Sequence, residues 1–159
     1  MNLCKKISLL SSVCFSISAF AGPGWYVTIE NNSNESVTAT GVGGGGNHCW
    51  YSDDLDGDGK TVAPNSTLTF YTEEDDSGGC FFNSSPRYQR FLLKANNQQV
   101  QYSLFSDHNT PDYSYVRNEV NGLTSQGSNI VGQAGGTAYA TIYIGSGGVL
   151  DSAPIDLHN

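Results

Sequence analysis

The most chemically loaded stretch of this chain sets Asp54, Asp56 and Asp58 at alternate positions and follows them with Gly59. Calcium takes about six to eight oxygen ligands, and alternate carboxylates in a tight coil converge on one point where a glycine permits the bend. Lys60 would add its backbone carbonyl. The twelfth position counted from Asp54 is Asn65, where a helix-loop-helix calcium site carries a bidentate glutamate, and no helical apolar spacing flanks the stretch. An EF-hand is excluded. The expectation is a short calcium loop between strands, with an affinity of about 0.1–1 mM. The competing reading is a solvated acidic turn, in which Asp53, Asp54, Asp56 and Asp58 repel one another at some cost in stability. A second acidic run, Glu73 to Asp76, is a poor source of further ligands. If both strands flanking residues 67–72 ran antiparallel to that strand, the two acidic stretches would sit about 20 Å apart.

Catalytic spacing is absent. No serine lies in a G-x-S-x-G elbow, and His48, His108 and His158 form neither H-E-x-x-H nor a His/Cys metal pattern. His108 with Asp107 or Asp112 and a serine is the arrangement a fold could assemble into a small hydrolase, but a polar loop ending at Pro111 explains those residues more simply.

Aromatic residues carry the stronger signal. The doublets Trp25-Tyr26, Trp50-Tyr51, Phe70-Tyr71 and Phe81-Phe82 send one ring to each side of a strand, so about half of these rings leave the core. Tyr113 and Tyr115 share a face, as do Tyr139 and Tyr143. Exposed tyrosine and tryptophan amid Asn, Asp and Gly suit a sugar or a lipid headgroup: the ring stacks, and the neighbouring polar groups bind hydroxyls. The candidate ligand-binding residues are Tyr113, Tyr115, Tyr139, Tyr143, Trp50 and Tyr51. The expected function is non-catalytic binding of a glycan or glycosylated surface; a membrane-lipid-binding or pore-forming effector and a small hydrolase are the alternatives.

These residues need a scaffold, and its class is legible. Residues 1–21 read as a cleaved secretory leader, with Lys5 and Lys6, an apolar run to Phe20 and small residues at Ala19 and Ala21, which puts cleavage before Gly22 and the protein outside the cytoplasm or in a periplasm. That run is shorter than a membrane span and no later one is longer, so no transmembrane segment is expected. Losing Lys5 and Lys6 takes seven basic residues to five against 15 acidic ones and the formal charge from −8 to −10. Such a polyanion disfavours nucleic acid and anionic lipid and leaves cations, neutral sugars and neutral lipid surfaces as partners. A monomer or weak oligomer is expected.

Cys49 and Cys80 remain after the leader, and in an oxidising compartment an isolated pair reads as a disulfide. The bond stabilises the fold by roughly 3–4 kcal/mol in the chain-entropy picture. Two strands flanking a common neighbour stand about 10 Å apart, beyond disulfide reach, so the bond would require its strands to pair directly or to bridge two sheets.

Short β-branched and aromatic runs recur between Gly, Asn, Ser and Asp clusters. They predict strands at 25–30, 36–42, 48–52, 67–72, 80–83, 89–95, 99–106, 112–118, 129–131 and 138–144. Eight to ten short strands give an all-β, single-domain antiparallel sandwich of two sheets over residues 22–144. A hairpin turns at Asn96-Asn97, and residues 138–144 put Ala138, Ala140, Ile142 and Ile144 inward with the tyrosines outward. A Gly/Ser linker and tail, 145–159, could add an edge strand through Val149, Leu150, Ile155 and Leu157.

The opening WYVTIENNSNESVTAT and the later GKTVAPNSTLTF resemble small secreted β-sandwich lipid binders of the aegerolysin type. The resemblance covers about a quarter of the chain and lacks the Trp-rich, Cys-bearing middle of that family. It implies recognition of membrane lipid, with pore formation alongside a larger partner, and carries over no site residue.

Overall fold

A computed structural model of the chain describes residues 24–42, 50–51, 55, 59–75, 87–107, 113–120, 124–128 and 137–158. They form β1 (Gly24–Asn31), β2 (Val37–Gly41), β3 (Trp50–Tyr51), β4 (Lys60–Val62), β5 (Ser66–Glu74), β6 (Arg87–Ala95), β7 (Gln98–Asp107), β8 (Tyr113–Asn118), β9 (Thr124–Ser128), β10 (Thr137–Ile144) and β11 (Ile155–His158). A five-stranded sheet runs β11-β10-β1-β5-β3, and a six-stranded sheet runs β4-β2-β6-β7-β8-β9. The all-β, two-sheet fold expected from the strand pattern is what forms. No helix among the described residues is long and apolar enough to cross a membrane.

Period-two alternation positions both sheets over one core. On β1, Trp25, Val27 and Ile29 point inward and are fully buried, while Tyr26 points out. β10 does the same with Ala140, Ile142 and Ile144 inside and Tyr139 outside. From the other sheet come Phe91 and Leu93 of β6, Tyr102 and Leu104 of β7, and Val116 of β8. Phe70 of β5 meets Phe91 edge to face across the interface, with centroids 5.3 Å apart and planes at 76°. Each such ring buries on the order of 150–250 Å², which makes these contacts the main cement between the sheets.

The hairpin at Asn96-Asn97 is present: Ala95 pairs with Gln98, and Asn96 takes φ 49°, the left-handed region that Asn tolerates. Other features depart from expectation. β1 pairs with β10 in parallel, Gly24 opposite Thr137 through Asn31 opposite Ile144, so one pair of the sandwich is not antiparallel. β4 and β9 were not foreseen, because KTV and TSQGS carry almost no apolar alternation. After a turn at Gly145–Gly148, β11 adds to the sheet edge beside β10. The strands expected at 80–83 and 129–131 lie outside the described residues.

β3 is set opposite Glu74 and Glu73 of β5, and the next described strand, β6, belongs to the other sheet. β3 runs antiparallel to β5, as the separation of the two acidic stretches requires of the strand before residues 67–72, while Asp54, Asp56, Asp58 and the strand expected at 80–83 lie outside the described residues. Cys49 and Cys80 lie outside the described residues.

A buried asparagine ties the corner between the sheets. Asn31 at the end of β1 donates from Nδ2 to the carbonyls of Glu35 (2.7 Å), Ala63 (3.0 Å) and Val62 (3.3 Å). Its Oδ1 accepts from the amide (3.1 Å) and hydroxyl (2.6 Å) of Ser33. Beside it Asn65 turns the chain from β4 into β5 with φ 52°.

Candidate functional site

The outer face of the five-stranded sheet brings three tyrosines into one row. Tyr26 on β1 stands opposite Tyr139 of β10 on one side and Tyr71 of β5 on the other. Tyr26 and Tyr139 stack at 5.5 Å with planes 12° apart, and Tyr26 meets Tyr71 at 4.9 Å and 49°. Tyr26 and Tyr139 are each 39% exposed, far above their inward neighbours. The row follows from the doublets: Trp25 and Phe70 take the inward positions, which forces Tyr26 and Tyr71 outward.

Gly24 makes the row possible. A Cβ there would collide with the Tyr71 ring, so the ring crosses the start of β1 only because the residue is glycine. Tyr71 Oη donates to Glu73 Oε2 at 2.8 Å. Burial first, then that hydrogen bond and the Glu73 charge, push the Tyr71 phenol up to about 12.

Below the tyrosines lies a threonine row, Thr141, Thr28 and Thr69, in which Thr28 and Thr69 share a hydroxyl hydrogen bond of 3.0 Å. One step further along the strands, Tyr143 stands opposite Glu30. Tyr143 also lines a surface cavity of about 280 Å³ with Ser146, Val149, Ser152 and Pro154. That volume admits one small ring or headgroup. Chemically, the face offers apolar ring surface, hydroxyls that donate and accept, and carboxylates at Glu30, Glu73 and, on β11, Asp156 opposite Thr141.

The residues singled out from sequence do not all meet here. Tyr139 and Tyr143 belong to this face. Tyr115 belongs to the outer face of the other sheet, where it stacks on Phe105 at 4.7 Å and 16°. Tyr113 pairs through its backbone with Asp107, again in the other sheet. Trp50 and Tyr51 pair through their backbones with Glu74 and Glu73 at the edge of the five-stranded sheet. The sixfold set is thus split between two sheets. Tyr26 and Tyr71 take the vacant places in the tyrosine row, and the alternation inside their doublets was the signal for them.

Asp54, Asp56 and Asp58 lie outside the described residues. Around them, Leu55 is buried in the core and its carbonyl accepts from the Gly41 amide at 3.1 Å, and Gly59 turns with φ 76° against the backbone of β2. Lys60 opens β4 opposite Ala39. His48 and His108 lie outside the described residues, and His158 pairs through its backbone with Tyr139. No group of three or more His, Cys, Asp or Glu residues gathers as a metal site among the described residues.

The chain matches no family model and no curated protein.

Proposed function

We propose that this is an extracytoplasmic, non-catalytic binding protein that recognises a neutral glycan through the outer face of its five-stranded sheet. The observation that carries the reading is the row Tyr71, Tyr26 and Tyr139, drawn from three adjacent strands and doing no packing work in the core. Half-exposed rings held in contact lose little side-chain entropy when a ligand arrives. Sugar rings stack on them through C–H faces, while Thr28, Thr69 and Glu73 supply partners for hydroxyls. The leader-like first 21 residues support the location. Asp54, Asp56 and Asp58 bind calcium as a loop stabiliser, and the left-handed turn at Gly59 supports that part of the reading.

The test is a neutral-glycan array probed with the native protein and with Tyr26→Ala/Tyr139→Ala. Binding by the first and not the second supports the reading. Flotation of the native protein with vesicles of neutral phospholipid, with no glycan bound, would replace it with the lipid-binding alternative implied by the aegerolysin-type resemblance.

A further inference from the structure

The outer face of the six-stranded sheet has the same aromatic layout with the opposite charge. Tyr88 of β6, Phe105 of β7 and Tyr115 of β8 fall in one row. The next row is Arg90, Ser103 and Arg117. The Arg90 guanidinium lies over the Tyr88 ring at 4.6 Å. Arg117, its side chain 47% exposed, reaches Glu119 at only 3.7 Å, a loose ion pair. Between the arginines Ser103 is 4% exposed, and its hydroxyl has no hydrogen-bond partner among the described residues. Lys94 is exposed further along β6 on the same side.

This face is basic for so acidic a protein, even with Glu119 beside Arg117. The whole chain carries seven Lys and Arg against 15 Asp and Glu, yet Arg90, Lys94 and Arg117 gather here. Arg90 and Arg117 sit two strands apart, about 10 Å, with a buried hydroxyl midway. Guanidinium groups grip carboxylate or sulfate through paired N–H donors, and an oxygen reaching between them would give Ser103 the partner it lacks. The neighbouring aromatic row supplies stacking surface for sugar rings.

We infer that this second face binds an acidic glycan, one whose carboxylate or sulfate groups are spaced along a chain of stackable sugars. Duplex nucleic acid fits less well, because it carries a negative charge every ~1.7 Å, far closer than the spacing of Arg90 and Arg117 two strands apart. The two faces look away from each other across sheets about 10 Å apart, so this site does not depend on the tyrosine row of the other sheet.

Binding of labelled polygalacturonate and chondroitin sulfate, with dextran as the neutral control, tests the inference. At about 50 mM salt the protein should bind at least one acidic polymer and not dextran, and about 300 mM salt should weaken that binding severalfold. Arg117→Gln, at an exposed position, should weaken it severalfold, and Arg90→Gln/Arg117→Gln at least tenfold with an unchanged circular dichroism spectrum. Tyr26→Ala/Tyr139→Ala should leave it intact, which separates this site from the neutral-glycan face. The inference is overturned if Arg117→Gln binds like the native protein, if dextran binds equally, or if neither acidic polymer binds. It is also overturned if the arginines prove to drive only concentration-dependent self-association in sedimentation, or attachment to anionic phospholipid vesicles alone.

Discussion

The phenol of Tyr102 donates a buried hydrogen bond of 3.1 Å to the carbonyl of Leu150, joining the middle of the six-stranded sheet to the segment that leads into β11. Asn118 adds an Nδ2 bond of 3.0 Å to the Asp151 carbonyl, and Gln98 holds the Leu150 amide at 3.1 Å. Leu150 itself is fully buried. The segment between β10 and β11 is therefore a strap fastened across both sheets. Tyr102→Phe should lower stability by about 1–1.5 kcal/mol in urea denaturation, the worth of one buried hydrogen bond.

Alkaline pH should expose the same contact. Burial, with a smaller push from Asp151, raises the Tyr102 phenol to about 12, against the ordinary 10.0, and the Asn118 hydrogen bond offsets this only in part. The unfolded chain therefore releases this proton first. The associated stability is complete below pH 10 and falls as pH climbs toward 12, by about 2–3 kcal/mol. Tyr71, raised in the same direction, adds to the loss. Urea midpoints measured between pH 9 and 12 should show native protein ahead of Tyr102→Phe by a constant margin below pH 10, with the gap closing above pH 10 and reversing as pH nears 12, because the ionisation loss exceeds the hydrogen bond's contribution.

Asn31→Ala should cost more than Tyr102→Phe. It strips a partner from the Glu35, Val62 and Ala63 carbonyls and from the Ser33 hydroxyl at a corner where both sheets meet. A loss of roughly 2–4 kcal/mol is expected, read as a drop in the thermal midpoint. A loss below half a kcal/mol would mean that water replaces the side chain.

Gly24→Ala offers a route to the tyrosine face that alters no tyrosine. The added methyl must displace the Tyr71 ring, separating it from Tyr26 and from Glu73. Glycan affinity should fall severalfold, and ultraviolet titration should show one phenol moving from about 12 back toward 10. An unchanged titration would show that Tyr71 keeps its place.

For the acidic loop, millimolar calcium should raise the thermal midpoint by a few degrees, and Asp56→Asn should abolish the shift. Leu55→Ala should cost about 2–5 kcal/mol with or without calcium, since Leu55 belongs to the core. No calcium shift in the native protein would leave Leu55 and Gly59 as the anchors of that loop.

Local alternation made much of this architecture legible. In AYATIYI it set Ala140, Ile142 and Ile144 inward and Tyr139 outward, and in Trp25-Tyr26 and Phe70-Tyr71 it required one ring of each pair to leave the core without telling which. It could not assign strands to sheets, because period two reports a face and not a partner. Tyr115 and Tyr139 have similar sequence surroundings and end on opposite sides of the molecule. Nor could it reveal β9, whose threonine, serines and glutamine present no apolar stripe, or the parallel pairing of β1, which depends on a strand more than 100 residues away.

That long pairing governs how the molecule is made. The strands β6, β7, β8 and β9 join as a chain of neighbours and can zip from local turns. The central strand of the other sheet must wait, since β1 cannot gain its parallel partner until residues 137–144 are available. Contacts of such high sequence separation place folding in the millisecond-to-second range typical of all-β domains. During that interval the first strand, with Trp25, Val27 and Ile29, is the apolar segment most in need of protection from aggregation.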